Sequence, residues 1–73
     1  MRTFFDKEIF AERIRELRKD RGLTMEKLAK AIGLTHPTIS DWESGKISPS
    51  VESIFLLAKF FNISAGYLIG TEN

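Results

Sequence analysis

Apolar residues recur along this chain at helical rather than strand spacing, and the recurrences are cut into five pieces by Gly, Asn and a Ser/Pro stretch. The first piece, from about Asp6 to Arg21, places Phe10, Ile14 and Leu17 on one face and charges on the other, with Gly22 as a left-handed stop. The second begins at Thr24, a good N-cap, and carries Glu26 where the positive end of the helix dipole favours an acid. Its buried stripe is Leu28, Ala29 and Ile32, and Gly33 ends it. Thr35 is expected to cap a third helix with Pro37 at the second position, where a missing N–H loses nothing. In that helix Ile39 and Trp42 point inward, and Gly45 closes it. A loop from Lys46 to Ser50, fixed by Pro49, leads to a fourth helix from about Val51 to Phe61, stopped by Asn62. Ser64 caps a last short helix through Ile69, which Gly66 weakens by up to about 1 kcal/mol relative to Ala. The pattern predicts an all-α fold, a compact five-helix bundle forming a single domain over residues 1–73.

Composition supports a folded core, since 42% of residues are hydrophobic and 29% charged, far from the signature of disorder. The absence of cysteine excludes disulfides, thiolate metal sites and a thiol nucleophile. His36 is the only histidine and has no second ligand-type residue or placed serine to work with, so no catalytic residue, metal site or cofactor is expected and the protein reads as a non-enzyme. No stretch approaches the roughly 20 apolar residues that span a bilayer, and Met1 to Phe10 is interrupted by Arg2, Asp6, Lys7 and Glu8. A cytoplasmic protein without membrane contact is the expectation. Net charge is only +1, but residues 1–30 hold nine basic against six acidic side chains, +3, and the remainder two against four, −2. Arg13, Arg15, Lys19 and Arg21 read as a solvated face of the first helix, with Arg21 nearest the second.

The unit from Met25 to Ser44 is a short helix, a glycine turn and a second helix that opens with small polar residues, the layout of a helix-turn-helix. With Ile39 and Trp42 in the core, Pro37, Ser40, Asp41 and Ser44 face outward at 100° per residue, and His36 and Thr38 flank the exposed first turn. A short, polar, uncrowded face suits a DNA groove.

From Phe10 through Leu68 the chain resembles the Cro/repressor-type helix-turn-helix family, often called XRE. The residues that carry the resemblance are the string Glu12 to Leu23, Thr24 with Lys27 to Ala29, Ile32-Gly33, Thr38 to Lys46, Pro49-Ser50, Leu57 to Lys59 and Ile63-Ser64, all in order and at family spacing. The resemblance implies a lambda-repressor-like bundle whose second and third helices dock on double-stranded DNA, the third in the major groove. It maps base reading onto Thr35, His36, Pro37, Thr38 and Asp41, where His36 can donate to guanine, the Thr38 methyl can meet a thymine methyl and Asp41 can accept from the cytosine amino group. It maps backbone contact onto Thr24, Met25, Ser44 and Lys46, and a structural ion pair onto Arg18 and Glu43. Two positions depart from the family pattern. Met25 stands where a glutamine is common and offers only apolar contact and a weak acceptor sulfur, and Asp41 stands where a basic or amide side chain is more usual.

These features imply a sequence-specific DNA-binding transcriptional regulator, a repressor by operator occupancy. The alternative is a protein-interaction module such as an antitoxin or anti-repressor subunit, which a net charge near zero also suits. The chain leaves no room for a sensor domain, so control is expected through dimerisation, abundance or a protein partner. From Ile54 to Phe61 seven of eight residues are apolar, and one buried stripe accommodates about half of them. Leu56, Phe60, Tyr67 and Ile69 are therefore the expected contacts of a homodimer reading inverted half-sites, unless Phe4 and Phe5 fold back over them.

Overall fold

The structure, a computed structural model, describes residues 5–72. It comprises α1 (Lys7–Asp20), α2 (Met25–Ala31), α3 (His36–Glu43), α4 (Val51–Phe61) and α5 (Ala65–Ile69), with no strand among the described residues. The five expected helices are present, and each begins where a side chain or a fixed dihedral prepares it. Asp6 accepts from the backbone N–H of Glu8 and Ile9, Thr24 from Lys27, Ser50 from Ser53 and Ser64 from Tyr67. The exception is Thr35. It sits at the N-cap of α3, yet its hydroxyl makes no bond to the backbone and instead pairs with the Thr38 hydroxyl at 3.0 Å, while Pro37 pre-sets the first turn.

Helix ends are equally local. Leu34 donates its N–H to the Ala29 carbonyl at 2.8 Å and Gly33 to that of Lys30 at 3.3 Å, the paired bonds of a Schellman motif. The turn requires the backbone of Gly33 at φ +76°, a conformation that a Cβ would strain. Gly22, Gly45 and, by virtue of its short amide side chain, Asn62 close α1, α3 and α4 in the same left-handed way.

Phe10, Ile14, Leu28, Ile39, Leu57 and Leu68 are wholly buried, and each of the five helices contributes to this set. Trp42 and Phe61 complete the centre, the indole meeting the Phe10 ring edge-on with centroids 6.0 Å apart. Phe5 packs on Phe10 at 5.8 Å, leaving Leu56 40% exposed; Phe4 lies outside the described residues. Gly66 serves a close approach. Its carbonyl accepts from the N–H of Gly70, Thr71 and Glu72, and the side chains of Thr71 and Glu72 occupy the space that a Cβ would need.

Of the face expected to be solvated, Lys19 and Arg21 are exposed and Arg13 and Arg15 half-buried, and its three arginines are in addition bonded to backbone carbonyls. Arg15 donates to the Glu43 carbonyl at 2.6 Å, Arg21 to that of Phe61 at 3.1 Å, and Arg13 to those of Tyr67 and Glu72. Each of the first three acceptors lies in the last turn of another helix, α3, α4 and α5 respectively, where carbonyls lack an intrahelical donor and the dipole is negative. Neither α3 nor α5 has a basic residue of its own in that turn. α1 and the Arg21 that ends it thus supply the cations that cap their neighbours, and Arg13 also lies over the Tyr67 ring, 4.2 Å from its centroid.

Candidate nucleic-acid interface

The helix-turn-helix is seated by one buried ion pair. Arg18 donates from Nε to Oε2 of Glu43 at 2.6 Å and from Nη2 to Oε1 at 3.0 Å, a bidentate contact, and from Nη1 to the Leu23 carbonyl. Both side chains are buried. Hydrogen bonding to Glu43 outweighs desolvation, with the carboxylate's charge adding to it, and pushes the Arg18 guanidinium pKa up from its ordinary value. Arg15 approaches the same carboxylate at 3.8 Å. The pair ties α1 to the last residue of α3 and fixes how far that helix projects.

With Ile39, Trp42 and Glu43 buried, the opposite side of α3 is left to solvent. Thr35, His36 and Pro37 are exposed and Thr38 and Asp41 half-buried, so the expected base-reading residues share the outer side of one helix and its cap. The Asp41 carboxylate makes no hydrogen bond or ion pair among the described residues. Its backbone carbonyl, by contrast, accepts from the Ser44 hydroxyl at 3.1 Å and from the N–H of Lys46 and Ile47, which fixes the loop leaving the helix. Thr38, with its hydroxyl held by Thr35, keeps its methyl for contact.

Of the expected backbone-contacting residues, Thr24, Ser44 and Lys46 are exposed, whereas Met25 is half-buried and packs on the core. An open cleft between the first turns of α2 and α3 is lined by Thr24, Met25, Glu26 and His36, with Arg18 also on its wall. The cleft adds Glu26 to the set, a residue whose sequence position signals only a favourable helix start. With Arg13, Arg15, Arg18 and Arg21 bonded internally, the exposed cations near this face are Lys27, Lys30 and Lys46. The contacts expected of a dimer divide differently: Leu56 is exposed, while Phe60, Tyr67 and Ile69 are half-buried, Phe60 against the Phe61 ring and Tyr67 beneath Arg13. Among the described residues no group of three His, Cys, Asp or Glu side chains is placed to hold a metal ion, and no helix is long and apolar enough to cross a membrane.

Known proteins place the same arrangement in a family. The chain is 38% identical to the HTH-type transcriptional activator BcrR of Enterococcus faecalis over 63 residues, 86% of this chain and 31% of that protein. It is 36% identical to the cryptic phage CTXphi transcriptional repressor RstR of Vibrio cholerae over 61 residues, 84% of this chain and 55% of that one. It thus spans between about a third and a little over half of these curated relatives. The crystal structure of the restriction-modification controller protein C.AhdI from Aeromonas hydrophila superimposes with a TM-score of 0.77 at 35% identity, covering 86% of this chain and 91% of that one. The helix-turn-helix family model HTH_3 matches residues 14–68. On that match, and on the five-helix bundle with its exposed third helix, the chain belongs to the HTH_3 family of helix-turn-helix proteins, the Cro/C1 or XRE type.

Proposed function

We propose that this domain binds double-stranded DNA in a sequence-specific manner, with α3 in the major groove, and regulates transcription by occupying an operator. The observation that carries this reading is the outer side of α3: His36, Pro37, Thr38 and an unspent Asp41 carboxylate, presented by a helix whose other side is locked into the core. Thr35 closes the reading set, and Thr24, Met25, Ser44 and Lys46 flank it on the side of the DNA backbone. Occupancy alone blocks a promoter, so repression asks nothing of the domain beyond this docking unit. A homodimer on inverted half-sites is the assembly that matches one reading helix per chain to a duplex with two-fold symmetry.

Selection from random duplex DNA followed by a salt titration tests the function. The expected result is a site of two inverted half-sites whose log affinity falls linearly with log salt, by about 0.9 for each phosphate neutralised. Lys27, Lys30 and Lys46 are the exposed cations at this face, so the slope is expected to be modest. Absence of salt-dependent DNA binding would overturn the reading in favour of a module that binds a protein, such as an antitoxin or anti-repressor subunit.

Asp41 should act by rejecting sites as much as by choosing one. A carboxylate accepts from cytosine N4–H₂ but repels phosphate and the acceptor edge of guanine. Asp41→Asn is expected to raise affinity for random DNA while lowering discrimination at one base pair per half-site by about 1 to 3 kcal/mol. Competition binding against single-base operator variants measures both, and unchanged discrimination at every position in a folded variant would show that Asp41 reads no base.

A further inference from the structure

The side chains that pair bidentately with purine edges, Arg or Lys with guanine and Asn or Gln with adenine, are all missing from Thr35 to Asp41. What α3 and its cap offer instead is apolar surface and an acceptor. Pro37 is exposed, has no N–H and presents its ring. Thr38 is half-buried with its hydroxyl bonded to that of Thr35, which leaves its methyl as the part without a partner. Asp41 carries a carboxylate with no hydrogen bond or ion pair among the described residues. At 100° per residue Asp41 falls between the other two around the helix, about 40° from Pro37 and about 60° from Thr38, one turn further along. Pairs at i, i+3 and i, i+4 stand about 5 to 6 Å apart at Cβ. Apolar surface and acceptor therefore share a patch narrow enough to meet one base pair, or two stacked about 3.4 Å apart.

We propose that this patch selects a pyrimidine 5-methyl group beside a pyrimidine 4-amino group, which makes the domain sensitive to the methylation state of its operator. Given α3 in the major groove, on which this rests, the bases separate by what they show there. Guanine shows two acceptors, which repel the Asp41 carboxylate, and adenine shows a donor beside an acceptor with no methyl. Thymine has the methyl but sets its O4 acceptor against Asp41, whereas cytosine donates from N4–H₂ but leaves the surface of Pro37 and Thr38 unfilled at C5. The two wanted groups occur together in two ways: a thymine next to a cytosine on one strand, or a single 5-methylcytosine. His36, the one ring donor of the set, lies on the far flank, about 100° round the helix from Pro37, and does not enter the patch.

Competition binding on the selected operator tests the patch with base pairing left intact. Each thymine is replaced in turn by uracil, which removes the methyl, and each cytosine by 5-methylcytosine, which adds one. At one position in each half-site the expected result is a loss of about fourfold with uracil or a gain of about fourfold with 5-methylcytosine, the worth of one buried methyl. The loss assigns the methyl to a thymine beside the cytosine and the gain to a methylated cytosine. In both cases the position is, or adjoins, the base pair at which Asp41→Asn loses discrimination. Thr38→Ser keeps the hydroxyl that Thr35 binds and removes only the methyl. That variant and Pro37→Ala should each shrink the uracil or 5-methylcytosine ratio, with an unchanged far-ultraviolet circular dichroism spectrum showing that the fold is intact. Equal affinities at every pyrimidine, or a ratio that neither variant moves, overturn the proposal and leave the DNA reading standing; a selection that yields no site overturns both.

Discussion

Truncating Glu43 to alanine is expected to destabilise the protein by about 3 to 5 kcal/mol, the usual range when one partner of a buried ion pair is removed. The loss comes less from the attraction than from what is left behind. Arg18 is 8% exposed and would keep its charge with two of its donors facing the void, retaining only the Leu23 carbonyl. Arg15, 3.8 Å from the same carboxylate, would lose it as well and carries the same charge as Arg18, so it adds repulsion rather than a replacement partner. Replacing both partners, Arg18→Met with Glu43→Leu, should recover most of the loss, since no charge then lies unpaired in the core. Urea denaturation of Arg18→Met, Glu43→Leu and the double variant measures the cycle. A double variant as unstable as the sum of the singles would show that the two residues act independently and that the pair does not seat α3.

Trp42→Ala should cost a similar amount, about 3 to 5 kcal/mol, by a different route: lost transfer of a large apolar surface together with the cavity that remains. The indole is 3% exposed and its edge-on contact with Phe10 joins α3 to α1 at the centre of the bundle. Set against a net stability of roughly 4 to 11 kcal/mol for a domain of this length, either substitution should leave much of the population unfolded. Trp42 is the sole tryptophan, so far-ultraviolet circular dichroism rather than indole fluorescence has to follow the transition. A loss below about 1 kcal/mol would mean that the side chain repacks or collapses at little cost and that α3 is not anchored through it. Because Trp42 and Glu43 are neighbours on one helix, their effects should not add.

Local rules wrote the helices into the sequence. A cap and the N–H donors it accepts from lie within three residues, and a left-handed stop at Gly22, Gly33, Gly45 or Asn62 depends on the residue itself, so element order and ends are legible without the rest of the chain. The same holds for the buried phase of α3, because Ile39 and Trp42 leave one orientation of that helix open and with it the outward set His36, Pro37 and Asp41. The Arg18–Glu43 pair was legible only through family resemblance, since nothing in the spacing of two charged residues distinguishes a buried partner from a solvated one. Tertiary structure alone decided the rest. Arg13, Arg15 and Arg21 find their carbonyls 54, 28 and 40 residues away, a choice made by which helix ends the bundle brings beside α1. The Thr35 hydroxyl had two partners within reach, a backbone N–H or Thr38, and the geometry of the Pro37 turn selected the side chain. In α4 almost every residue from Ile54 to Phe61 is apolar, so periodicity could not say which would be covered. Packing buried Leu57, Ala58 and Phe61 and left Phe55 and Leu56 outside. A uniformly apolar helix has no preferred face until its neighbours supply one.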